Sequence, residues 1–70
     1  MREDALTATV PLARQIACIE REIALRRRAY PRWVSAGRMT QRDADRELAE
    51  MEAVLATLRG LKAEVEPVML

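Results

Sequence analysis

Two apolar stripes at helical spacing, parted by a glycine and a threonine, leave this chain few folds to choose from. Leu12, Ile16, Ile19, Ile23, Tyr30 and Trp33 follow a 4-3-4-7-3 spacing, the seam of an amphipathic helix. Arg14, Arg21 and Arg28 fall seven apart on the opposite face, where water is the expected neighbour. Arg26 occupies the one seam position without an apolar residue; its stem can cover apolar surface while its head reaches water. Farther on, Ala44, Leu48, Met51, Leu55, Leu58 and Val65 form one stripe, and Met51, Val54, Leu58, Leu61 and Val65 a second that overlaps it. Their combined face is broader than a single antiparallel neighbour needs.

Punctuation places the ends. Thr9 is a candidate cap with Pro11 inside the first turn, where a missing N–H does no harm. Pro31 costs the helix a hydrogen bond and crowds the carbonyl of Arg27. Because Tyr30 and Trp33 stay in phase with Ile16 and Ile23, a kinked helix is favoured over a break there. Gly37 can take the left-handed angles of a C-terminal cap. Thr40 opens the next helix, with Asp43 placed to reach back as a short capping-box acid. Gly60 loosens the last turns and Pro67 stops them. The spacing predicts helices over about 10–36 and 41–65, each about 37 Å long at 1.5 Å per residue. Equal lengths and a short loop describe an all-α fold, an antiparallel two-helix hairpin kinked near Pro31. Residues 1–10 read as a leader, 11–66 as the hairpin domain and 67–70 as a tail.

Size adds a second expectation. A 70-residue chain buries little surface, and with one cysteine and no histidine it has neither an internal disulfide nor a His-containing zinc site. Self-association is the remaining stabiliser, so a homodimer forming a four-helix bundle is expected. Cys18 and Leu25, seven apart and read as flanking the main seam, join Val54 and Leu61 as candidate dimer-interface residues. As a nucleophile Cys18 would want a nearby base, and a small apolar contact is the preferred reading.

Charge marks the candidate site. Between Arg26 and Arg42 stand six arginines, no acid, and the only two aromatics, Tyr30 and Trp33. Asp43, Asp45, Glu47, Glu50 and Glu52 then reverse the sign, in a chain of net charge +1. Such a tip can grip phosphates and stack bases. The alternative needs no partner: the arginines neutralise a helix C-terminus and pair with the acids opening the second helix. That reading is preferred, since the pI near 8.0 is below that of a dedicated nucleic-acid domain. Tyr30 and Trp33 both lie on the seam and are expected to close the core. The candidate partner-binding residues are Arg27, Arg28, Arg32, Trp33 and Arg38.

Ile16 to Ala24, then Arg27-Arg28-Ala29-Tyr30-Pro31-Arg32-Trp33-Val34, Gly37-Arg38-Met39-Thr40 and Glu50 to Leu55 together carry a resemblance. Over roughly residues 14–61 the chain is similar to short uncharacterised proteins encoded by bacteriophages and prophages of proteobacteria. The resemblance implies a phage accessory gene expressed in a bacterial host; it implies no activity and transfers no functional residue.

No cofactor, catalytic or metal site is expected, because the chain offers no paired acid geometry and no glycine-rich phosphate loop. No apolar run suits a signal peptide or approaches ~18 residues, so a cytoplasmic protein without membrane contact is expected. Two functions remain. The first is a non-catalytic accessory protein that binds a bacterial or phage protein and inhibits or redirects it. The second is a nucleic-acid-binding module using the arginine tip.

Overall fold

In the computed structural model, residues 10–65 are described, and they form two α-helices packed against each other: α1, Leu12–Ser35, and α2, Gln41–Val65. The expected leader, the Thr9 cap, the Pro67 stop and the tail lie outside the described residues. Among the described residues no helix is long and apolar enough to cross a membrane.

Pro11 is the residue before α1 rather than part of its first turn. Its backbone is extended (φ −64°, ψ 152°) and no side chain caps the end. The Pro11 carbonyl instead accepts from the N–H groups of Arg14 at 3.0 Å and Gln15 at 3.1 Å. The Gln15 side-chain amide donates to the Val10 carbonyl at 2.9 Å, which ties the entering strand of chain to the first turn.

Helix α1 runs through Pro31 without ending. Proline has no N–H, so the Arg27 carbonyl loses its usual partner. Both residues are exposed, and water can take the vacant position. The continuity keeps Tyr30 and Trp33 on the helix that carries Ile23.

The turn is built as its residues dictate. Gly37 has φ +75°, a left-handed conformation that suits glycine. Its N–H donates to Val34 at 3.0 Å, and the N–H of Arg38 donates to Trp33 at 2.9 Å. Those two bonds make a Schellman cap, satisfying carbonyls that a helix end leaves without partners. Three residues later the Thr40 hydroxyl accepts from the N–H of Asp43 at 3.0 Å, capping α2. The reciprocal half of a capping box is replaced: the Asp43 carboxylate accepts from Arg46 at 2.7 Å instead.

The hairpin is antiparallel, as the pairs across it descend on one helix while ascending on the other: Tyr30 with Glu47, Arg27 with Glu52, Glu20 with Arg59. The core between the helices is thin. Among the described residues only Ile23, Tyr30 and Ala44 are buried, while Ile16, Ile19, Leu48, Met51, Leu55 and Leu58 are half-buried.

Candidate functional site

A helix turns about 100° per residue, which fixes the face each side chain occupies relative to Ile23 on α1 and Ala44 on α2. Glu20 and Arg27 lie on one flank of α1, and Glu52 and Arg59 on the matching flank of α2. There Arg59 donates to Glu20 at 2.5 Å and Arg27 pairs with Glu52, two ion pairs that bridge the helices. Between them runs a groove floored by Ile23 and Leu55 and walled by Ala24 and Ala56. One face of the hairpin is therefore laced by charge.

The other face is open. Trp33 on α1 and Val54, Leu61 and Val65 on α2 all project to the flank opposite those ion pairs, about 60–100° from the packed seams. Their exposures of 42%, 48%, 44% and 61% make them the large apolar residues that the fold leaves in water on that side. They share that flank with Glu22, Arg26 and Glu47. Trp33 leans on Tyr30, ring centroids 5.5 Å apart and planes tilted by 40°. So Tyr30 closes the core as expected, while Trp33 covers it with only one side. A shallow groove runs beneath Trp33, edged by Leu25, Ala29 and Glu47.

At the top of this face the Tyr30 hydroxyl donates to Glu47 at 2.7 Å. That bond, and next the burial of the ring, hold the phenol above its ordinary pKa, while Arg26 pulls the other way. Arg26 itself is held above its usual value, first by its hydrogen bond to Glu22. The seam arginine thus behaves as its position suggests, half-buried along its stem and paired at its head.

The arginine tip follows the preferred sequence reading only in part, with Arg32 in the last turn of α1 and one ion pair to the acids of α2. Of its six arginines, Arg26 pairs within its own helix and Arg27 pairs with Glu52, well inside α2. Arg28, Arg32, Arg38 and Arg42 are exposed, and none makes an ion pair or side-chain hydrogen bond with another described residue. The four acids of α2 before Glu52 have other partners. Asp43 and Glu50 hold Arg46, Asp45 accepts from Gln41 at 2.9 Å, and Glu47 accepts from Tyr30. Side chains one turn apart on α2 satisfy one another locally, and that local geometry outcompetes a reach around the loop.

Among the candidate partner residues, the structure leaves Arg28, Arg32 and Arg38 in solvent, Trp33 half in solvent, and Arg27 engaged. The four candidate interface residues separate. Val54 and Leu61 share the open face. Cys18 and Leu25, both exposed, lie about 140–160° from Ile23, on the outer side of α1 rather than beside its seam. No protein-family model matches the chain, and neither a curated protein nor a solved structure is significantly similar to it.

Proposed function

We propose that the chain is a non-catalytic phage accessory protein that acts through protein–protein contact, binding a bacterial or phage protein in the host cytoplasm and inhibiting or redirecting it. The observation that carries this reading is the asymmetry of the hairpin. Trp33, Val54, Leu61 and Val65 stand exposed on one face, while two ion pairs lace the other. A core of three buried residues among those described is small for an independent domain, and covering that face with protein completes it.

In this reading the first cover is a second copy. Two hairpins laid open face to open face make a four-helix bundle, with Val54 and Leu61 at its centre. A kink of α1 near Pro31 belongs to the same proposal, since it tips Trp33 over the seam between the copies. Leu61→Glu should dissociate the dimer before it melts the hairpin. A dimer that withstands both Leu61→Glu and Val54→Glu sinks the assembly; failure of the wild-type protein to retain any host or phage protein in affinity capture sinks the activity.

A specific observation supports the second reading, a nucleic-acid-binding tip: Arg28, Arg32, Arg38 and Arg42 have no partner among the described residues. Arg38→Ala with Arg42→Ala separates the two, because only the second reading expects that pair to weaken nucleic-acid binding.

A further inference from the structure

The unpaired arginines do not stop at the tip. Arg14, Arg21, Arg28 and Arg32 lie within about 40° of a single azimuth on α1, on the side turned away from α2. All four are exposed, and none makes an ion pair or side-chain hydrogen bond with another described residue. Both acids of α1 lie off this line and are already held, Glu20 by Arg59 and Glu22 by Arg26. The result is a one-signed ridge that contains no carboxylate. At 1.5 Å per residue its arginines are spaced by about 10.5, 10.5 and 6 Å and cover about 27 Å, the axial length of about eight base pairs.

We infer that this outer ridge of α1 is a docking surface for the phosphate backbone of duplex nucleic acid, bound without regard to sequence. It goes beyond both functional readings above, because it depends on Arg14 and Arg21, far from the turn, and it stays uncovered when the open face pairs.

Three features choose a phosphate polymer over an acidic protein. The cations are all arginines, whose planar forks match phosphate oxygens in pairs. The side chains between them are mostly small, Ala17 and Cys18 among them, with Leu25 the one large apolar group. A protein interface of this length wants an apolar centre with anchors, which the ridge does not offer. Finally, the ridge runs along most of α1, so its contacts add along a regularly charged partner. The near-neutral total charge does not oppose this, because among the described residues every acid lies on α2 or on a flank of α1 off the ridge.

The test is fluorescence anisotropy of a labelled 20-base-pair duplex of arbitrary sequence, titrated with protein between 50 and 200 mM salt. Four phosphate contacts give a log–log slope near −3.6 and an affinity loss of about 150-fold over that range. Arg14→Ala with Arg21→Ala should halve the slope to about −1.8 and leave a loss of about 12-fold. Arg38→Ala with Arg42→Ala should leave the slope unchanged. Arg14, Arg21 and Arg42 are exposed helix positions that alanine favours and Arg38 is exposed in the turn, so circular dichroism should find each variant folded. An unaltered slope in the Arg14/Arg21 variant overturns the ridge, and if the Arg38/Arg42 variant loses binding instead, the tip reading survives alone. No binding at 50 mM salt overturns both. Tighter binding to poly-glutamate than to the duplex overturns the phosphate assignment.

Discussion

Replacing Tyr30 by phenylalanine removes one oxygen from the best-buried aromatic of the fold, and its cost follows from the geometry. Tyr30 is 3% exposed, and its hydroxyl donates to the Glu47 carboxylate at 2.7 Å. Hydrogen bonds to charged groups contribute about 1.5–3 kcal/mol. Glu47 is only half-buried, and water recovers part of that on its side, so the lower end applies, about 1.5 kcal/mol. For a domain of this size that loss lowers Tm by about 6–12 °C.

The pH dependence carries the same contact. The phenol is neutral when protonated, and its folded pKa lies above the ordinary tyrosine value, chiefly because of the bond to Glu47. The folded state therefore holds the proton more tightly than the unfolded state. The stabilisation is complete below about pH 10 and is lost as pH rises through the folded pKa. Urea denaturation followed by circular dichroism, at one fixed protein concentration, measures both effects. Wild type and Tyr30→Phe should differ by about 1.5 kcal/mol at pH 7, and the gap should close as the pH rises beyond the folded pKa of the phenol. Equal stabilities at pH 7, or a gap that persists undiminished at high pH, would refute the reasoning.

Other substitutions read the turn and Pro31. Thr40→Ala should cost about 1 kcal/mol through the lost cap of α2, measured by the same denaturation. Gly37→Ala should cost about 1 kcal/mol from backbone strain alone, since a Cβ there meets nothing within 4 Å; a clearly larger loss would point to a steric cause instead. Pro31→Ala should raise Tm by restoring the bond to the Arg27 carbonyl at an exposed site, and a lowered Tm would mean that the proline is needed for packing.

The hairpin was legible because local chemistry and long-range pattern agree. Gly37 and Thr40 each have one favoured role, and the seam through Ile23 and Tyr30 needs a partner helix that the second stripe supplies. Trp33 shows where spacing alone runs short. Steps of three, four and seven drift against a 3.6-residue turn, so a seam judged in phase arrives about 80° off Ile23, with Trp33 at the edge of the contact. Cys18 and Leu25 are the same lesson, since their seven-residue interval says that they share a face but not which face. The partners of the arginines were the least legible. Whether Glu50 reaches Arg46 or an arginine across the turn is a contest of side-chain reach, and composition does not decide it.

Sedimentation equilibrium at tens of micromolar tests the central proposal, self-association through the open face, most directly. The account predicts a species of twice the 8.0 kDa chain mass for the wild type. It predicts single-chain mass with helical content retained for Leu61→Glu, which puts a charge into that face. A wild-type protein that stays at single-chain mass at that concentration, with a sharp thermal transition, would contradict it.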